Sequence, residues 1–104
     1  MYGAILGDIA GSPYEFDMGG KTKDVPLFID ESHFTDDSVM TVAVAEALFS
    51  AGADAGEKEV KDKLIESIKK WGNRYPYAGY GGRFITWLFG DNTEPYGSFG
   101  NGSA

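Results

Sequence analysis

The feature that most constrains the fold is an apolar run from Val39 to Phe49, directly after the polar motif Thr35-Asp36-Asp37. Only two polar residues interrupt the run, so the helix it predicts carries apolar side chains on nearly every side. A helix that is apolar all round is usually buried. We therefore expect a core helix whose N-terminal end presents one hydroxyl and two carboxylates to a bordering cavity.

The motif at the start of this helix has two interpretations. Thr35 is a good N-cap residue, and Asp36 and Asp37 suit a first helical turn because they face the positive end of the helix dipole. Alternatively, the motif is a hard-cation site, since Mg²⁺, Mn²⁺ and Ca²⁺ prefer carboxylate and hydroxyl oxygens. Three consecutive residues cannot complete an octahedral shell, so further ligands are needed. Asp8 and Glu15 are the nearest candidates.

The rest of the chain predicts an all-α protein of four helices with no strand. Residues 2–10 predict a first, buried helix, and residues 57–72 an amphipathic helix whose charged face is solvated. Residues 83–89 predict a short helix that ends at Gly90. We expect the large apolar side chains of this last helix to pack inward: Phe84, Ile85, Trp87, Leu88 and Phe89.

Three glycines in the first helix recur every four residues, at positions Gly3, Gly7 and Gly11. Each glycine weakens a helix by about 1 kcal/mol relative to alanine. Glycines at this spacing lie roughly along one helical face. The pattern predicts the close approach of another helix to that face.

Two glycine-rich segments have both a structural and a functional interpretation. The loop of residues 71–82 alternates glycine with tyrosine, which suits either a cap over the core or a binding surface for a sugar or nucleobase. The tail of residues 95–104 is either a flexible end or a nest of backbone N–H groups that binds phosphate. The single histidine, His33, lacks a partner at metal-binding spacing, so a structural or exposed role is favoured.

Charge and composition exclude several classes of function. The net charge of −7 argues against a general nucleic-acid binder or a basic membrane-surface protein. The absence of cysteine excludes disulfides and thiolate metal sites. No apolar run is long enough to span a bilayer, and no signal pattern opens the chain. We expect one domain at most, with no membrane partner and a cytoplasmic location.

Several of these segments resemble the opening half of an ADP-ribosylglycohydrolase, the family that includes the dinitrogenase reductase-activating glycohydrolase. They are GAILGDIAGSPYE at residues 3–15, FTDDSVM at 34–40, YAGYG at 77–81 and SFGNGSA at 98–104. The four motifs occur in the family's order, and the resemblance covers essentially the whole chain.

The resemblance implies an all-α fold with a two-metal site for Mg²⁺ or Mn²⁺. It implies that Thr35, Asp36 and Asp37 are metal ligands. Glu15 matches an acidic residue that contacts the metals or the reacting sugar, and Asp8 matches an aspartate that supports the site. Glu15 and Asp37 are the expected catalytic residues, with Glu15 the first choice as base.

The same resemblance implies which residues hold the substrate. Two loops are expected to wrap the ribose and diphosphate, through Tyr80, Gly81, Ser98, Gly100, Asn101, Gly102 and Ser103. The implied reaction is hydrolysis of the glycosidic bond at the anomeric carbon of ADP-ribose. The substrate is an ADP-ribosylated protein side chain or a small ADP-ribosyl metabolite. The alternatives are a catalytically inactive relative that binds ADP-ribose or has a structural use, and a small helical domain whose Thr35 motif is merely an N-cap.

The resemblance also predicts that the site is incomplete. Members of the family are normally more than twice as long and carry further metal ligands in an Asp-x-Asp-Thr/Ser motif near the C-terminus, which this sequence lacks. We therefore expect residues 1–104 to be an N-terminal fragment of a single domain, inactive alone. Exposed apolar surface would then favour self-association or a complementing chain.

Overall fold

The structure, a computed structural model, describes residues 2–14, 26 and 28–97. Four α-helices occur in these ranges: α1 (Tyr2–Gly11), α2 (Asp36–Ala51), α3 (Glu57–Arg74) and α4 (Gly82–Phe89). A 3₁₀ turn at Ser12–Tyr14 follows α1, where Pro13 removes a backbone donor. The described residues form no strand, so the all-α prediction is confirmed. Among them, no helix is long and apolar enough to cross a bilayer.

Hydrogen bonds tie the C-terminal end of α1 to the start of α2. The Ser12 hydroxyl donates to the Ile9 carbonyl at 2.9 Å and accepts the His33 backbone N–H, also at 2.9 Å. The Asp8 carboxylate accepts hydrogen bonds from Thr35 and Ser38. These contacts bring the end of one helix to the beginning of the next, although the connecting segment is long.

Helices α2 and α3 form the main packed pair. The Ser67 hydroxyl, which is buried, donates to the Ala43 carbonyl across the pair at 2.6 Å. Glu46, the single charge within the apolar run, accepts hydrogen bonds from Lys70 at 2.6 Å and from the Trp71 indole. These two bonds, the Lys70 bond first, hold the pKa of Glu46 below its ordinary value. A polar residue in an otherwise apolar helix is thus explained by its partners on α3.

Lys69 of α3 holds the end of α4. Its ammonium donates to the carbonyls of Trp87 and Gly90, both at 3.0 Å, and of Asn92 at 2.7 Å. It also lies 4.6 Å from the centroid of a Trp87 ring. A cation at a helix C-terminus satisfies carbonyls that have no partner within the helix. This arrangement fixes α4 against α3.

The core is small and centres on Val39, Tyr80 and Leu88. Leu88 fits against α3 because Gly72 has no side chain: a Cβ there would lie 2.4 Å from a Leu88 methyl carbon. The expectation that all apolar residues of α4 pack inward is wrong for Ile85 and Phe89, which are exposed. Helix α4 packs on α3, and one neighbouring helix cannot cover every face of a short helix.

The expected burial of the first two helices is also incomplete. Helix α1 has no fully buried residue, and a Cβ built at Gly7, as at the other two glycines of its stripe, meets nothing within 4 Å. On α2, the apolar residues Val44, Leu48 and Phe49 are exposed. The apolar pattern requires more neighbours than the described helices supply.

Replacing Leu88 with alanine will destabilise the fold by about 2–5 kcal/mol, because a fully buried side chain is lost and a cavity remains. The matched control is Phe89→Ala on the neighbouring, half-exposed side chain, for which we expect a clearly smaller loss. Urea unfolding followed by circular dichroism measures both values. Equal losses for the two variants would contradict the assignment of Leu88 to the core.

Candidate functional site

The start of α2 is capped by a residue of α1 and not by its own N-cap side chain. Thr35 occupies the N-cap position with extended backbone, but its hydroxyl makes no capping bond. Instead, Asp8 Oδ2 accepts the backbone N–H groups of Thr35 at 2.7 Å and of Ser38 at 3.1 Å. Asp8 Oδ1 accepts the Thr35 hydroxyl. The sequence identified the N-cap position correctly, but the capping group is the Asp8 carboxylate.

These contacts determine the charge state of Asp8. Its partial burial acts to raise the pKa, but the hydroxyl and N–H of Thr35, followed by those of Ser38, lower it further than burial raises it. The net pKa of Asp8 therefore lies below its ordinary value of 3.8. Asp8 is a carboxylate at neutral pH, and its charge also meets the positive end of the α2 dipole.

The hydrogen bond to Asp8 orients the Thr35 hydroxyl. Because Thr35 Oγ1 donates its proton to Asp8, the lone pairs of this oxygen remain available for another partner. Thr35 is buried, so its side chain cannot turn freely into solvent. An outer carboxylate that fixes a first ligand in this manner is a common feature of metal sites.

The next two residues add carboxylates at the same helix end. Asp36 and Asp37 are both half-buried. The Asp36 backbone N–H donates to the Ala78 carbonyl at 2.7 Å, and the Thr41 hydroxyl donates to the Asp37 carbonyl at 2.7 Å. Asp36 and Asp37 are thus in the first turn of α2, the helix end that the Asp8 carboxylate caps.

The tyrosine and glycine loop lies against the start of α2 through this Ala78 contact. Gly79 in the loop has a φ of +95°, a conformation that favours glycine. Tyr80 is buried, and its ring packs on Phe84 at 5.3 Å between centroids. Burial first, and the Asp36 charge second, raise the pKa of Tyr80 to about 12. The Tyr80 hydroxyl is buried and has no hydrogen-bond partner in the described part of the chain.

Two exposed aromatic rings lie near this helix end, and the sequence analysis named neither individually as a site residue. Tyr77 is 98% exposed in the same loop that buries Tyr80. Phe34 is half-exposed and packs edge-on against Tyr75 at 5.4 Å, and Tyr75 stacks on Trp71 with its ring nearly parallel.

Some predicted site residues lie outside the described ranges. These are Glu15 and the second substrate loop, with Ser98, Gly100, Asn101, Gly102 and Ser103. Their assignments stay predictions, as do those of Tyr80 and Gly81. Within residues 2–14, 26 and 28–97, no cluster of three or more histidine or acidic side chains has the geometry of a metal site. His33 is exposed, and its Nδ1 lies 2.8 Å from the Glu31 carbonyl oxygen.

The comparison with protein families identifies the family of this chain. The sequence profile of the ADP-ribosylglycohydrolase family matches residues 1–104, the whole chain. The chain therefore belongs to the ADP-ribosylglycohydrolase family. No curated protein and no solved structure gives a match. Membership points to hydrolysis of the ADP-ribosylglycohydrolase type.

Replacing Asp8 with asparagine will destabilise the protein at neutral pH by about 1 kcal/mol, because the α2 N-terminus loses its anionic cap. A group with a lowered folded-state pKa stabilises the fold above its unfolded pKa. The difference from wild type should therefore shrink as the pH falls below 3.8 and through the lower folded pKa.

Urea unfolding at several pH values measures this difference. The matched control is Asp54→Asn, which removes the same charge from an exposed turn. An Asp8→Asn variant as stable as Asp54→Asn at neutral pH would rule out the capping role.

Proposed function

We propose that this member of the ADP-ribosylglycohydrolase family is a metal-dependent hydrolase that releases ADP-ribose from a modified protein side chain or from a small ADP-ribosyl metabolite. One observation carries the proposal: the Thr35 hydroxyl donates to Asp8 and so keeps its lone pairs for a cation next to Asp36 and Asp37. In a simple N-cap, the Thr35 hydroxyl would accept a hydrogen bond from a backbone N–H of its own helix. Here the Thr35 hydroxyl makes no such bond.

The donor set fits a hard cation. Thr35, Asp36 and Asp37 offer oxygens alone, which suits Mg²⁺ or Mn²⁺. These three residues supply part of a shell, so Glu15 and groups beyond the described residues would complete a two-metal site. Bound metal would polarise the ribose hydroxyls and lower the pKa of a coordinated water.

In the proposed reaction, the residues supply a base, a positioning group and contacts to the substrate. Glu15 is the first candidate to remove a proton from the attacking water, and Asp37 is the second. Asp8 is a positioning residue that orients Thr35. The Tyr80-Gly81 loop would contact the ribose, and the backbone of Gly100 to Gly102 would hold the diphosphate without a lysine. Bond cleavage at the anomeric carbon passes through a transition state that resembles an oxocarbenium ion.

A binding function without turnover is the second candidate. On this alternative, the chain binds ADP-ribose and does not hydrolyse its conjugates. The two functions separate experimentally, because both predict ADP-ribose binding but only the hydrolase predicts that free ADP-ribose is released.

The replacements Asp36→Asn and Asp37→Asn will each weaken Mg²⁺ binding at least about tenfold, because each removes a charged ligand. Titration calorimetry with MgCl₂ measures the affinity, and chromatography of released ADP-ribose measures turnover with an ADP-ribosylated protein. Asp54→Asn serves as the control of equal charge. Wild-type affinity in both site variants would refute the metal site.

Replacing Thr35 with valine tests the hydroxyl itself, because valine keeps the branched shape and removes the oxygen. We expect the Mg²⁺ affinity to fall about tenfold or more, and Thr35→Ser, which retains the oxygen, to restore most of it. The same calorimetry gives both values. If valine and serine variants bind Mg²⁺ equally well, Thr35 is not a ligand.

A further inference from the structure

The hydroxyl of Tyr80 is a buried polar group without a partner. Tyr80 is 7% exposed, and its oxygen makes no hydrogen bond to any residue in the described part of the chain. Buried polar side chains are usually hydrogen-bonded, and an unsatisfied one costs the folded state free energy. Phenylalanine would fill the same space without this cost, so packing alone does not explain a tyrosine at this position.

Several contacts place Tyr80 beside the first turn of α2. The Asp36 backbone N–H donates to the Ala78 carbonyl at 2.7 Å, which ties the loop to this turn two residues before Tyr80. Tyr80 belongs to the same buried cluster as Val39, and Val39 lies three residues after Asp36, on the same face of α2. Burial first, and the Asp36 charge second, raise the pKa of Tyr80, so the Asp36 carboxylate is close enough to act on the phenol.

We propose that the Tyr80 hydroxyl is a positioning group that donates a hydrogen bond to the Asp36 carboxylate when that carboxylate binds a cation. A carboxylate has two oxygens, so one can bind the cation while the other accepts the phenol proton. Groups that orient a metal ligand in this way strengthen metal binding. The inference rests on the cation site proposed above, and it pairs Tyr80 with Asp36 just as Asp8 is paired with Thr35.

The burial of Tyr80 favours this role over direct contact with a substrate. Its ring packs on Phe84 at 5.3 Å between centroids and lies in the cluster with Val39 and Leu88, so few of its atoms can meet a ribose. Gly81, the next residue, is exposed. Of the two residues predicted to contact the ribose, Gly81 is therefore the one open to a ligand, whereas Tyr80 acts through Asp36.

Replacing Tyr80 with phenylalanine tests the hydroxyl, because the substitution removes only one oxygen. We expect the Mg²⁺ affinity, measured by titration calorimetry with MgCl₂, to fall about tenfold. In the absence of a cation, we expect Tyr80→Phe to be at least as stable as wild type in urea unfolding, because no hydrogen bond is lost. A tyrosine with a merely structural role would show the reverse, with lower stability and unchanged affinity.

The matched control is Tyr96→Phe, because the Tyr96 hydroxyl is also buried and without a partner among the described residues. Its ring packs on Trp87 in the last turn of α4, at 6.0 Å between centroids. Removing this hydroxyl should leave the Mg²⁺ affinity unchanged. Equal losses of affinity in Tyr80→Phe and Tyr96→Phe would overturn the proposal.

A double-mutant cycle identifies the residue through which Tyr80 acts. Tyr80→Phe should lower the Mg²⁺ affinity about tenfold in an Asp37→Asn background, but should have little further effect in an Asp36→Ala background, where the acceptor is already gone. The same loss in both backgrounds would refute the pairing with Asp36. A wild type that binds no Mg²⁺ would refute the cation site together with this inference, whereas wild-type binding that Tyr80→Phe leaves unchanged would refute this inference alone.

Discussion

The carboxylate of Asp8 is the interaction on which the rest of the site depends. It joins α1 to α2, caps the first turn of α2 through two backbone N–H groups, and fixes the Thr35 hydroxyl. Without this anion, Thr35 would be free to cap its own helix, and α1 would lose its polar anchor. The Asp8 side chain thus holds α1 against α2 and also orients Thr35 in the proposed cation site.

The sequence predicted the helices well because their periodicities are strong. Helix α3 extends only two residues beyond its predicted end, and α4 begins one residue early. The sequence predicted Thr35 at the start of α2 because threonine is a preferred N-cap residue. The Asp8 cap did not, because residues 8 and 35 are 27 positions apart and no local pattern connects them. Likewise, spacing alone could not tell which tyrosine of the loop is buried and which is exposed.

Helices α1 and α2 carry more apolar side chains than the described helices can bury. Glu46 and Lys69 each bond to specific groups on a neighbouring element, so the exposed apolar residues are not a sign of loose packing throughout. Five of the ten exposed large apolar residues in the described ranges lie on α1 and α2. On α1, Asp8 faces Thr35, whereas Tyr2 and Leu6 are exposed to solvent.

The most direct test of the cation site is paramagnetic broadening of amide resonances by substoichiometric Mn²⁺. The distance dependence of broadening reports where the ion lies without any assumption about turnover. We predict selective loss of the Thr35, Asp36, Asp37 and Ser38 signals, with the turn around Asp54 unaffected. Broadening centred on the carboxylates of α3, or no selective broadening, would contradict a metal site at the start of α2.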